Sequence, residues 1–384
     1  METVPTERGS IMMLFEPLTI NGKLTLKNRI VMPPAVTRLA GMEGEMTPEL
    51  IDRYVLYCRG GSALVLMEAV SVERQKSGQL LRLNEDQYIQ GFKDLADRVH
   101  AETDAKIAPQ ILHFMKIARS GYRQKIEDLE YDYLKAMPKL WADAAYRART
   151  AGMDAVELHF AHAYTLASSL SRYNKRKDEY GGAKLENRMR LMSEIIQACR
   201  QAVGNDFCLG CRINGDEFTL GGNTLTHSRQ IALRCAELGL DYVSVSAGGK
   251  FEDAVPKEGE SLDPYTGYSG TRTMPPSWMP EKVNMYLAAD IKKALVAAGY
   301  TIPVIGAGRI PTPEVAEEVL AAGEVDLIGL CRPILCDPYW PNKYQEGRGQ
   351  DVLKCTYCNS CREMEGGFTT VECIQWKKKG QPQA

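Results

Sequence analysis

The sequence predicts a (β/α)8 barrel, an α/β fold, on three observations. Eight short β-branched or apolar runs recur along the chain, each followed by an amphipathic stretch of helical period. No shorter repeat interrupts them, and eight regular units favour a closed parallel barrel over the rival, an open doubly wound sheet. Gly152, Gly239 and Gly323 stand just past helical stretches, where a left-handed C-cap is wanted.

In chain order the expected strands are 29–32, 63–68, 106–112, 155–159, 207–212, 241–246, 303–306 and 326–330. The expected helices are 47–59, 88–101, 140–151, 184–203, 224–238, 281–298 and 312–322. In the first of these, Thr47 is placed to cap the helix and Pro48 occupies its first position, where no N–H is needed. The organisation expected is an arm at residues 1–14, the barrel at 15–346 and a C-terminal segment at 347–384.

With 384 residues, 44% of them apolar, the chain can bury a substantial core. A net charge of −2, with acids and bases interspersed, gives no footprint for nucleic acid or a membrane surface. No apolar run approaches the roughly 20 residues that span a bilayer. The opening METVPTERGS lacks the apolar core of a signal peptide, so a cytoplasmic location is expected.

Eleven cysteines then call for reduced thiols or metal chemistry rather than disulfides. Cys58, Cys199, Cys208, Cys211, Cys235, Cys331 and Cys336 read as small buried thiols. Cys208 and Cys211 have a redox-like spacing but fall within a strand, where positions i and i+3 face opposite sides. Cys355, Cys358, Cys361 and Cys373 crowd near the end of the chain, and four thiolates can converge on a [4Fe–4S] core or on tetrahedral zinc.

The chemistry is expected where the fourth strand stops. His159, His162 and Tyr164 form an H-x-x-H-x-Y pattern there; imidazoles can donate to a carbonyl oxygen and a phenol can hand over a proton. The bland reading is a pair of satisfied structural histidines. Three features suit a flavin when taken together, although each alone has an ordinary reading: Pro33-Pro34 as a strand stop, Gln110 as a polar cap, and Arg212 as a salt-bridge partner for Asp216 or Glu217. Pro33-Pro34-Ala35-Val36-Thr37 can lie flat against a ring; the Gln110 carboxamide can read a pyrimidine edge; Arg212 can stabilise negative charge on a reduced isoalloxazine. Gly306-Ala307-Gly308-Arg309 and Cys331-Arg332 follow strands seven and eight, where barrels often bind phosphate. Pro311 at the third glycine position rules out a dinucleotide fingerprint. Tyr265, Tyr268 and Trp278, among glycines and prolines of a long sixth loop, read either as a lid over an apolar ligand or as a loop packed on the rim. The third βα segment, about 120–138, is short, which would widen the mouth.

The run from Asn174 to Gly182, NKRKDEYGG, followed by ENRMRL at 186–191, resembles the signature of the old yellow enzyme family of FMN-dependent oxidoreductases. The CNSC wording of the cysteine cluster is similar to the iron–sulfur branch typified by 2,4-dienoyl-CoA reductase, enoate reductase and trimethylamine dehydrogenase. The likeness covers about residues 15–376. It implies FMN contacts at Pro34, Ala35, Thr37, Ala69, Gln110 and Arg212, with phosphate near Gly308, Arg309, Cys331 and Arg332. It implies a [4Fe–4S] cluster on Cys355, Cys358, Cys361 and Cys373. In an ene-reductase of this kind His159 and His162 hold the carbonyl oxygen of an enone, enoate or acyl-CoA thioester, and Tyr164 protonates the α-carbon.

The alternatives are an amine dehydrogenase or N-demethylase and a non-enzymatic electron-transfer subunit. Cys331 stands where the family usually has glycine, and Val36 where relatives place Thr or Cys. The dienoyl-CoA branch often lacks the histidine pair. The FAD and pyridine-nucleotide domains of large relatives have no counterpart after Cys373, so a separate flavoprotein, a ferredoxin-like partner or NAD(P)H is the expected electron source. Lys377-Lys378-Lys379 reads as a solvated tail or as a dock for an acidic partner, and a homo-oligomer is compatible with the sequence.

Overall fold

The computed structural model describes residues 12–74, 80–114, 124–249 and 270–382. A hairpin of β1 (Leu18–Ile20) and β2 (Leu24–Leu26) precedes the barrel. Asn21 and Gly22 at its tip have φ of 44° and 68°, the doubly left-handed turn whose twist matches antiparallel strands. The barrel strands are β3 (Ile30–Met32), β4 (Leu64–Ser71), β6 (Lys106–Leu112), β7 (Ala155–Phe160), β8 (Cys208–Asn214), β9 (Tyr242–Ser246), β10 (Val304–Ala307) and β11 (Leu327–Gly329). A two-residue strand, β5 (Leu81–Arg82), extends the end of β4. All barrel pairings are parallel, and β3 bonds to both β11 and β4, which closes the cylinder.

Outside lie α1 (Pro48–Arg59), α2 (Ile89–Glu102), α3 (Tyr131–Thr150), α4 (Thr165–Leu170), α5 (Leu185–Val203), α6 (Leu225–Glu237), α7 (Gly270–Thr273), α8 (Met285–Ala297) and α9 (Pro313–Ala321). After β11 come α10 (Cys331–Cys336), α11 (Trp340–Gln345), α12 (Ser360–Gly366) and α13 (Ile374–Lys379). Thr47 caps α1 as expected, its Oγ1 accepting from Leu50 N at 3.2 Å. Gly152, Gly239 and Gly323 have φ of 81°, 80° and 69°.

One helix departs from expectation. α3 starts at Tyr131, nine residues before the expected 140, and carries Pro138 inside it. Leu134, Met137, Trp141, Ala144, Ala145 and Ala148 form one buried stripe across the proline. Burying that stripe outweighs the roughly 3 kcal/mol an internal proline costs.

The core divides in two. The hairpin residues Ile20, Leu24 and Leu26 pack with Val31, Leu64, Ala108, Ala155, Cys208, Ile305 and Leu327, residues at or near the starts of the barrel strands, and cork the N-terminal end. Cys211 belongs instead to the larger cluster under the helices, so the Cys208–Cys211 pair is split between faces, as alternation requires. Met13 and Leu14 donate their N–H groups to the Glu317 carboxylate of α9, fastening the start of the described chain to the barrel.

Candidate active site at the C-terminal mouth of the barrel

The strand ends that face away from the cork surround a cavity of about 250 Å³. Pro34, Ala35, Ala69, Gln110, His159, His162, Tyr164, Arg212, Gly308, Arg309, Cys331 and Arg332 all line it, so twelve of the thirteen residues expected to serve catalysis or cofactor meet in one place. The exception is Thr37. It is 4% exposed and gives both its N–H and its hydroxyl to Glu68, at 2.7 and 2.8 Å, behind the cavity wall. A buried carboxylate claims its donors before any ligand can.

Parallel register builds the reacting corner. His159 pairs with Arg212 across β7 and β8, and Arg212 pairs with Ser244 across β8 and β9, which places imidazole and guanidinium on one face. The His159 and His162 rings lie 5.0 Å apart and the His159 and Tyr164 rings 5.4 Å apart. His162 and Ala163 have φ of 63° and 62°, left-handed conformations that bend the chain back over the strand end. That bend needs Gly249 opposite, where a Cβ would stand 2.7 Å from the His162 carbonyl carbon.

A hydrogen-bonded chain ties Arg212 to His162. Arg212 can only donate, and it gives Nη1 to Ser244 Oγ at 3.0 Å and Nη2 to Ser246 Oγ at 3.2 Å. Ser246 Oγ lies 2.6 Å from His162 Nε2. The serine hydroxyl thus links the guanidinium to the imidazole and fixes the orientation of the ring. Burial and then the charge of Arg212 push His159 down to about 3. Burial, His159 and Arg212 hold His162 well below its ordinary 6.5. Both rings are therefore neutral hydrogen-bond donors, and buried His159 Nδ1 has no partner among the described residues.

Two expectations follow. Ser246→Ala, which removes the hydroxyl that orients the His162 ring, should lower kcat/KM about three- to tenfold, the worth of one ordinary hydrogen bond, with flavin content unchanged. The linkage of His159 has a definite sign. Unfolded, the ring takes a proton below its ordinary 6.5; folded, it resists until about 3. Its contribution to stability is thus complete above pH 6.5 and is lost as pH falls below that. The urea midpoint should drop on acidification, and less steeply in His159→Gln.

Two carboxylates under the mouth escape the sequence reading. Glu157 accepts from Gln110 Nε2 at 2.6 Å, and burial raises it to about 7 against the pull of Arg212. Glu68, at an irregularity in β4, is likewise raised to about 7 by burial, opposed by its bonds to Thr37. The signal was a charged residue inside each apolar run, LVLMEAV and AVELHF. The Asn174–Gly182 turn, by contrast, is absent from the cavity wall. Asn174 bonds to the Ser169 and Tyr180 carbonyls, and Arg176 bonds to Asp178 and to the Ile126 and Leu129 carbonyls, a brace between α4 and α5.

Of the sixth-loop aromatics, Tyr265 and Tyr268 lie outside the described residues, as do residues 120–123 of the short third segment. Trp278 is 70% exposed and is not part of the cavity wall.

The cavity fits FMN. Alongside His159 Nδ1, the buried Asn284 Oδ1, Arg309 Nε and Tyr357 Oη of its wall lack partners, polar atoms that a polar ligand would satisfy. At Gly329 a Cβ would stand 2.9 Å from Pro33, so nothing larger fits between those walls. The cysteine segment forms the far wall through Tyr357, Cys361, Arg362, Glu365 and Val371. Backbone N–H groups of Tyr357, Ser360, Arg362 and Gln375 hydrogen-bond the thiols of Cys355, Cys358, Cys361 and Cys373 in turn. Such N–H···S contacts are the environment thiolate ligands use. Among the described residues, however, no three His, Cys, Asp or Glu side chains stand close enough together to hold a single metal ion. Cys336, read from sequence as an ordinary core thiol, hydrogen-bonds Cys373 and the Leu353 carbonyl, the latter at 3.1 Å.

The mouth of the closed barrel thus gathers a cation, paired neutral imidazoles and a phenol around one cavity. The chain belongs to the NADH:flavin oxidoreductase / NADH oxidase family, whose profile matches residues 13–351. This bears out the old yellow enzyme resemblance. The chain is 36% identical over 359 residues to an NADH oxidase of Thermoanaerobacter brockii, covering 88% of this chain and 52% of that protein. Among solved structures it resembles 2-naphthoyl-CoA reductase in complex with 2-naphthoyl-CoA, at TM-score 0.80 and 26% identity over 94% of this chain and 56% of that one. It also resembles histamine dehydrogenase from Rhizobium sp. 4-9, at TM-score 0.79 and 25% identity over 94% and 52%. The chain spans about half the length of these proteins. Among the described residues no helix is long and apolar enough to cross a membrane.

Proposed function

We propose that this chain is an FMN-dependent ene-reductase acting on a C=C bond conjugated to a carbonyl, in an enone, an enoate or an enoyl-, dienoyl- or aryl-CoA thioester. The observation that carries this reading is the convergence of neutral His159 and His162, Tyr164 and Arg212 on one cavity. Pro34, Ala35, Ala69, Gln110 and Arg212 would hold the flavin ring, and Gly308, Arg309, Cys331 and Arg332 its phosphate. So bound, the flavin supplies a hydride equivalent to the β-carbon of the substrate. The two imidazole N–H groups hold the carbonyl oxygen and stabilise the charge that develops there, the kind of preorganised donation worth several kcal/mol. Tyr164 delivers the proton to the α-carbon from its phenol oxygen. Burial, reinforced by the charge of Arg212, keeps both imidazoles neutral, so they donate without becoming acids themselves.

On the same reading Cys355, Cys358, Cys361 and Cys373 would hold a [4Fe–4S] cluster, which would supply one-electron transfer to the flavin site when bound. The donor is a separate electron-transfer flavoprotein or ferredoxin-like protein, with NAD(P)H as the direct alternative. Residues 15–346 serve as the flavin barrel and 347–384 as the cluster segment, while the arm expected at 1–14 lies outside the described residues over 1–11. The likeness to histamine dehydrogenase raises the second reading, amine oxidation with electrons leaving through the cluster. Among the described residues the cavity wall carries Arg212, Arg309, Arg332 and Arg362 against the single carboxylate Glu365, which suits a carbonyl or an anion better than an ammonium.

The test is anaerobic purification, absorption spectroscopy and iron and sulfide analysis, followed by mixing with candidate compounds. Reoxidation of the reduced protein by cinnamate or an enoyl-CoA supports the ene-reductase. Reduction of the oxidised protein by a methylamine, with no reoxidation by conjugated carbonyls, overturns it.

A further inference from the structure

Tyr357 lies between Cys355 and Cys358, yet it belongs to the wall of the flavin cavity. It is 5% exposed, and its hydroxyl is buried without a hydrogen-bond partner. A phenol shut away from water with nothing to donate to is costly, and an acceptor brought by a ligand relieves that cost. The ring is flanked by two cations, the guanidiniums of Arg309 and Arg332, each 4.8 Å from its centroid. These arginines follow β10 and β11, the strand ends given above to the flavin phosphate.

The same loop is tied to those strands a second time. Arg332 Nη1 donates to Asn359 Oδ1 at 2.6 Å and to the Pro275 carbonyl at 2.8 Å, while Asn359 Nδ2 donates to the Met274 carbonyl at 2.8 Å. Tyr357 and Asn359 both adopt left-handed backbone, with φ of 55° and 64°. The conformation that curls the chain from Cys355 to Cys361 is thus the one that presents Tyr357 and Asn359 to the two arginines.

We propose that Tyr357 donates its phenol hydrogen to the flavin phosphate, so that the cysteine loop completes the flavin site and each of the two centres tightens the other. The inference rests on the reading that FMN occupies this cavity. Coupling of this kind is reciprocal: whatever the ordered loop adds to flavin affinity, bound flavin adds to retention of the loop's metal.

The test uses flavin-depleted, iron-loaded protein titrated with FMN and, separately, with riboflavin, which lacks the phosphate, by quenching of flavin fluorescence. Tyr357→Phe, with iron content measured in parallel, should bind FMN about ten- to a hundredfold more weakly, the range for a hydrogen bond to a charged group. Its affinity for riboflavin should be unchanged. FMN should slow iron release to a chelator in the wild type and do so less in the variant. Equal FMN affinities, or equal weakening toward FMN and riboflavin, would overturn the proposal while leaving the flavin reading intact. Failure of the wild type to bind FMN at all would overturn both.

Discussion

Tyr164→Phe should lose about 10²- to 10⁴-fold in turnover of a conjugated carbonyl, the contribution of a positioned general acid. The substitution is mild in shape. The Tyr164 ring meets Phe114 edge-on at 5.1 Å and His159 at 5.4 Å, contacts that phenylalanine retains. Only the phenol oxygen disappears, so the loss should fall on the oxidative half of the cycle, in which the substrate collects its proton. Electron entry from the donor involves no such proton and should keep its wild-type rate. Stopped-flow measurement of the two halves separates them. Equal slowing of both, or of neither, would remove Tyr164 from the proposed role.

His162→Ala should lower kcat about 10²- to 10³-fold, the usual loss when one preorganised donor to a developing oxyanion is removed. The wild-type pH profile carries a companion expectation. Both imidazoles are neutral, with His159 down to about 3, so turnover should show no acid limb at the ordinary 6.5 of histidine. An inflection there that vanishes in His162→Ala would mean that the imidazolium is the working form.

Much of this architecture was legible in the sequence because it rests on periodicity. The eight strands lie within one or two residues of the apolar runs that announce them at nearly every boundary, and the helices follow their amphipathic stripes. The H-x-x-H-x-Y pattern and Arg212 could be assigned because strand ends are where barrels display side chains. What stayed hidden depends on side chains finding partners far along the chain. Thr37 looked like a ligand contact until Glu68, thirty-one residues on, took its donors. Asn174 and Arg176 stand in the signature run, and their partners prove to be backbone carbonyls and the Asp178 carboxylate, all outside the cavity. Pro138 hid nine residues of α3 because a local break signal was weighed without the buried stripe on either side of it. The hairpin was the avoidable miss, since Asn21-Gly22 between alternating apolar residues is a strong local signature.

The cork of Ile20, Leu24 and Leu26 forms its own hydrophobic cluster, apart from the larger core and at the opposite end from the reacting groups. Robustness and selectivity are therefore housed separately. A weakened hairpin and an altered mouth should combine additively in folding energy, since sites with no shared neighbours do so to within about half a kcal/mol. New substrate preferences can be tried at the rim without undermining the base, and a lineage on this scaffold is free to vary its chemistry while its foundations drift little.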